Sequence, residues 1–330
     1  MPDAAPIAEV HRGDFLESIH LGHAVIVDAG GQIVEAWGNP DQVILPRSSA
    51  KMLQALPLVE SGAAKDLGPR ELALACASHQ GAKSHVTAVN AWLHALGLDD
   101  DAFRCGPEVS RDLAYRDEMI REGHSPCQVH NNCSGKHAGF LTLTRHLGAG
   151  PEYIEADHPV QRAVRDAFED MTGEASPGFG VDGCSAPNFA TTLSGFGRSM
   201  ARFAALTEDD GVRGRAALRL RNAMMAHPDM VAGEGRACTA LMRAAPGKLA
   251  VKTGAEGVFI AILPELRMGV AVKAADGATR ASEAAIAALC VRLGVLEAAD
   301  PVVQNLIAQP IRNRRDLLTG HVKAASDLLN

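Results

Sequence analysis

The sequence predicts an α+β fold, an antiparallel sheet packed with helices plus a helical lobe. Three observations carry this reading. Strand patterns fall mainly at 8–38 and 248–274, helical periodicity fills 48–245, and no regular βαβ alternation links them. With 330 residues, 47% of them hydrophobic, the chain can bury a sizeable core. No internal repeat, low-complexity tract or linker interrupts it, so 1–330 reads as a single two-lobed domain.

The elements follow in order. HAVIVDAGGQIVEAWGNP is a hairpin: the apolar run ends at Asp28, Gly30 and Gly31 turn, and Ile33 to Trp37 run back. Asn39-Pro40 then turns the chain into PRSSAKMLQALPLVES. Here Met52, Leu53, Leu56 and Val59 keep helical spacing, which puts Ser48 and Lys51 in the first turn. Pro57 is expected to bend or shorten that helix. PRELALACASH starts a helix at Pro69. KSHVTAVNAWLHALG and HPVQRAVRDAFEDMTG are further helices stopped by glycine, and VRGRAALRLRNAMMAHP ends before Pro228. LAVKTG, GVFIAIL and RMGVAVKA read as consecutive antiparallel strands, with LPEL as a turn. TRASEAAIAALCVRLG returns to helix, with Ile286, Leu289, Cys290 and Leu293 inward.

Charge and cysteine usage narrow the function. A formal net charge of -7 disfavours nucleic acid as a partner. The basic cluster Arg213, Arg215, Arg219 and Arg221 is expected to be solvated. The N-terminus lacks the basic-then-apolar pattern of a secretion signal, and no apolar run is long enough to span a bilayer. Seven widely spread cysteines then suggest reduced thiols and a cytoplasmic location.

PRSSAK raises the chemical question. Positions i and i+3 share a helix face, so Ser48 Oγ and Lys51 Nζ can meet, and a neutral lysine is a competent base for a serine nucleophile. The plain alternative is a serine cap beside a solvated lysine. This is the only Ser-x-x-Lys in the chain, and far downstream stands Lys252-Thr253-Gly254 on an expected strand. That combination is the signature of serine β-lactamases and penicillin-binding proteins. Its logic is electrostatic: a second ammonium nearby lowers the pKa of the first, helped by burial. Gly254 is expected to let substrate approach the strand edge. The third element, Ser/Tyr-x-Asn, is absent. Ser78 in CASHQG, a short polar stretch after an apolar helix, is the candidate for the second hydroxyl; local capping by Ser78 and His79 is the alternative.

Taken together, PRSSAK, CASHQG, NNCSGKHAGF, VDGCSAPNF, HPDMVAGEGRAC and VKTGAEGVF resemble the asparaginase II family of the rhizobial type. The blocks span nearly the whole chain. The resemblance implies a serine β-lactamase-like fold, two coupled Ser–Lys pairs matched by Ser48 with Lys51 and Ser78 with Lys252, and a homodimer. It also implies a zinc ion held by Cys133, Lys136 and Cys184, with His137 as a rival to the lysine. Asp182 would meet a substrate α-ammonium and Arg47 its α-carboxylate, with His137 helping to position substrate. Thr253 after the second lysine departs from some members and looks more β-lactamase-like. The AGEGR stretch, 232–236, is a glycine-flexed loop near the site.

The function expected is hydrolysis of L-asparagine to L-aspartate and ammonia. Ser48 attacks the carboxamide, neutral Lys51 takes its proton, Lys252 keeps the site positive, and Ser78 passes a proton to ammonia. Which serine attacks stays open, and zinc is expected to organise substrate without generating the nucleophile. The alternatives are an L-glutaminase, a penicillin-recognising hydrolase, and a non-enzymatic zinc-dependent amino-acid sensor. The first is separated by one methylene of pocket shape. The second is disfavoured by the missing Ser/Tyr-x-Asn, and the third by two lysines that binding alone does not need.

Overall fold

Eight strands in one antiparallel sheet form the centre of the molecule, seen in a computed structural model that describes residues 3–330. They are β1 (Ala5–Arg12), β2 (Phe15–Val27), β3 (Ile33–Trp37), β4 (Ala250–Thr253), β5 (Val258–Leu263), β6 (Met268–Ala274), β7 (Ala308–Arg312) and β8 (Leu318–Ala324). The order is β7-β8-β1-β2-β6-β5-β4, with β3 also on β2. This is the α+β arrangement that the pattern predicts.

The long β2 is the spine. Its first half pairs with β1, and its second half lies between β6 and β3. Ala24 to Val27 and the whole of β5 are fully buried, which is why they read as continuous apolar runs; β4 is buried as well but carries Lys252 and Thr253. The predicted hairpin forms with Val27 opposite Ile33 and Gly31 at φ 81°.

Two strands escaped the sequence reading. β7 and β8 pair with each other and, through β8, with β1. β7 is an edge strand carrying Pro310 and begins where the helix Pro301–Ile307 ends, so its pattern is weak. The helix Leu193–Ala205 was also missed because SGFG looks like a turn. Its Gly197 is there for packing: a Cβ would come within 2.8 Å of Val25 and Val27 on the sheet.

Two expectations need correction. Pro57 does more than bend its helix: the chain makes Lys51–Gln54 and Leu56–Glu60 as separate helices meeting at Ala55, and Ser48 lies in a preceding 3₁₀ turn, Arg47–Ala50. The arginine cluster is not simply solvated. Arg213 pairs with Glu60 and Asp170, Arg219 donates to the Ala64 and Leu67 carbonyls, and buried Arg221 donates to the Phe203 and Ala204 carbonyls. Only Arg215 of the four behaves as a plain surface charge. No helix among the described residues is long and apolar enough to cross a membrane.

Candidate active site

Three distant segments bring two lysines onto one hydroxyl. Lys51 opens the helix Lys51–Gln54, Lys252 lies on β4, and Ser78 follows the helix Pro69–Ala75, which ends at Cys76. The Nζ atoms of Lys51 and Lys252 each lie 2.9 Å from Ser78 Oγ. Both lysines are completely buried and Ser78 nearly so. The Ser78 backbone is held by its N–H on the Val231 carbonyl at 2.9 Å, which gives the 232–236 stretch a place in the structure: it continues the segment that anchors Ser78. The β4 edge is drawn onto the 47–50 turn by Ser49 Oγ, which donates to the Lys252 carbonyl at 3.1 Å.

Of the two expected pairs, Ser78 with Lys252 is in hydrogen-bond contact, whereas Lys51 turns to Ser78 and not to Ser48. Lys51 Nζ donates to the Ala77 carbonyl, to Ser78 and, at 3.1 Å, to Cys133 Sγ, while Ser48 Oγ makes no hydrogen bond to a described residue. Lys252 is pushed down to about 7 by burial and by the nearby Lys51 charge. The burial and like-charge pressure at this site thus act on Lys252. Gly254 also serves another purpose than expected. A Cβ there would meet the Pro46 carbonyl and Ser49 Oγ at 2.7 Å, so the glycine admits the 47–50 turn.

Ser48 faces an open cleft of about 510 Å³, lined also by Arg47, Glu108, Arg111, Asn132, Asp182 and Cys184. Arg47 sits at φ 53°, an uncommon backbone for a residue with a side chain. Its Nε and Nη2 donate to Asp182 Oδ1 at 2.9 and 2.8 Å. Asp182 also accepts the Gly183 N–H at 2.8 Å, so it caps its own turn while lining the cleft. The cleft thus presents both signs of charge. His137 does not line it. The imidazole is fully buried among Phe103, Phe140 and Tyr153, and its Nδ1 meets Tyr153 Oη at 2.9 Å.

Behind the cleft wall Cys133, Lys136 and Cys184 gather from the start of the helix Ser134–His146 and the 182–185 turn. Lys136 Nζ lies 3.0 Å from Cys184 Sγ. Cys184 is held well below the ordinary thiol range, first by a hydrogen bond from Cys133 and also by the Lys136 charge; Cys133 is correspondingly raised by that hydrogen bond and by burial. Burial pushes Lys136 down, but Cys184, Cys133 and Asp182 reverse this and hold it above its usual range. His137 is pushed down to about 4 by burial, and its Nε2 has no hydrogen-bond partner among the described residues. Two sulphurs and an amine form a donor set compatible with zinc's N/S preference. No group of three or more His, Cys, Asp and Glu side chains that could hold a metal ion occurs among the described residues.

The family model for L-asparaginase II matches residues 8–324. The chain belongs to the L-asparaginase II family. Membership makes it an amidohydrolase. Among solved structures, a putative β-lactamase from Bacteroides dorei DSM 17855 is 11% identical, covering 77% of this chain and 84% of its own, at a TM-score of 0.42. A β-lactamase/D-alanine carboxypeptidase from Pseudomonas syringae is 11% identical over 79% and 90%, at 0.43. The native form of a protein named Mglu is 14% identical over 89% and 69%, at 0.45. Likeness of this order says nothing about substrate. A search of curated proteins finds no match.

In this L-asparaginase II family member, two further residues at the site escaped sequence reasoning. Asn132 and Glu108 sit in the cleft and are joined by hydrogen bonds. Asn132 lies within a motif block already quoted, so its nearness was legible. Glu108, in a loop between helices, carries no local signal.

Proposed function

We propose that this protein hydrolyses the side-chain amide of L-asparagine to L-aspartate and ammonia. The observation that carries the reading is the grip of two buried amines on Ser78, one of them close to neutral at physiological pH, beside a cleft that offers a serine and paired charges of both signs. A zwitterionic α-amino acid suits that cleft: Arg47 takes the carboxylate and Asp182 the ammonium as their mutual pair opens.

Ser48 is the hydroxyl exposed to substrate and attacks the carboxamide carbon. Ser78 has one proton and two amine neighbours, so a neutral Lys252 can accept that proton while Lys51 donates to the same oxygen. Lys252 takes the Ser78 proton and Ser78 takes one from Lys51; Lys51 then takes the proton of Ser48 once the Ser48 hydroxyl turns toward its Nζ. Backbone N–H groups at the 47–50 turn, including that of Ser48, hold the oxyanion. The relay runs backward to protonate departing ammonia, and water then cleaves the acyl-enzyme to aspartate.

Cys133, Cys184 and Lys136 would hold zinc. Bound there, the ion supplies a fixed positive charge that organises the cleft wall. A homodimer, implied by the family resemblance, belongs to the same proposal and is checked by sedimentation.

Ammonia release measured across asparagine, glutamine and simple amides tests the reading. Asparagine is expected to be the best substrate, and Ser48→Ala to be inactive. No ammonia from any amide, or a fully active Ser48→Ala, would overturn it.

A further inference from the structure

Glu108 is linked to the surroundings of Ser78 through Asn132. Asn132 accepts the His79 N–H on its backbone carbonyl at 3.1 Å, directly beside Ser78. Its Oδ1 lies 2.9 Å from Cys133 Sγ, Cys133 accepts from Lys51, and Lys51 reaches Ser78. Asn132 therefore closes a ring that leaves Ser78 through Lys51 and Cys133 and returns through His79.

Glu108 holds Asn132 in that ring. It accepts the Asn132 N–H at 2.9 Å and Asn132 Nδ2 at 3.2 Å, which forces Oδ1 to face Cys133. Arg111 clamps Glu108 through Nε and Nη2 at 3.1 and 2.7 Å, and its own N–H is tied to the Gln80 carbonyl at 2.8 Å. Glu108, Arg111 and Asn132 all lie outside helices and strands, so these bonds, not a backbone ladder, set their positions.

We propose that Glu108 is a positioning residue for the amide hydrolysis, acting through Asn132 on the Ser78 loop; this rests on the amidohydrolase reading above. Its two acceptor oxygens matter because they receive donors from Asn132 and Arg111 at once. A glutamine keeps one acceptor oxygen and turns an NH₂ toward groups that are themselves donors.

The test compares Glu108→Gln and Glu108→Ala by steady-state kinetics on asparagine and by hydrogen exchange read by mass spectrometry. We expect kcat to fall about tenfold in the glutamine variant and about a hundredfold in the alanine variant, as for a small misplacement of a reacting group. KM should move by less than about threefold, because no substrate contact is removed. Exchange in peptides covering 76–80 should quicken about tenfold in the alanine variant, with β5 peptides unchanged. A raised KM at constant kcat would make Glu108 a substrate ligand and overturn the proposal. An activity loss matching the unfolded fraction, with kcat per folded molecule intact, would overturn it as well. The exchange measurement is independent of turnover: if the wild type hydrolyses no amide, unchanged exchange at 76–80 still rejects the positioning role and faster exchange upholds it.

Discussion

Lys252 and Lys136 are buried to nearly the same degree, 0% and 3% exposed, yet they are shifted in opposite directions. Lys252 is driven to about 7 from 10.5, on the order of 5 kcal/mol toward the neutral amine. Lys136 is held above its ordinary range. Burial opposes the charge in both places. The difference is the company: Lys252 faces the ammonium of Lys51, whereas Lys136 faces Cys184, Cys133 and Asp182. Desolvation sets a cost, and the sign of the neighbour decides whether the proton stays. One centre is thereby suited to accepting protons and the other to holding a thiolate.

Replacing each lysine separates the two centres, and the largest effect is expected at Lys252. Lys252→Met should lower kcat about a thousandfold, the scale of a lost general base, with little loss of stability since a near-neutral group is replaced by an apolar one. Turnover within tenfold of wild type would make the two centres functionally alike and break the contrast. Next comes pH. The neutral form of Lys252 accepts the proton, so kcat/KM should fall as pH drops through about 7 and level off above it. A limb near the ordinary lysine value would show that Lys51 does not press on Lys252.

Lys136→Met should act mainly on stability in the metal-free protein. Removing one partner of a buried pair costs about 3 kcal/mol, read as a lowered urea midpoint. Adding Cys184→Ala should recover part of that loss, because the remaining partner no longer sits alone. Equal destabilisation by single and double variants would argue that the pair is not coupled. The smallest effect is expected from Gly254→Ala. The added Cβ presses the β4 edge away from the 47–50 turn, costing about 1–2 kcal/mol in thermal unfolding. As Lys252 moves from Lys51 its pKa should rise, shifting the pH limb upward; a downward shift would contradict the like-charge account.

Much of this architecture was legible because local patterns and tertiary contacts agree. The hairpin at 24–37, the helix Pro159–Thr172 with Gly173 at its end, and the strands β4 to β6 all carry apolar runs whose period and turn residues match what they form. The edge strand β7 and the helix containing Gly197 were not, since an edge proline and a packing glycine look locally like breakers. At the site, Ser48, Lys51, Ser78 and Lys252 were all nameable from motifs, and the structure brings three of them together.

The sequence alone determined which residue types are available: a serine and lysine one helical turn apart, a lysine on a strand far downstream, two cysteines and a lysine in short motifs. Only the tertiary structure decided who meets whom. Lys51 turns to Ser78, Lys252 joins it across 174 residues of chain, and His137 is buried among Phe103, Phe140 and Tyr153. The physical reason is that protonation and pairing depend on charges within a few ångströms. Folding assembles those neighbours from distant segments, and no local spacing records them.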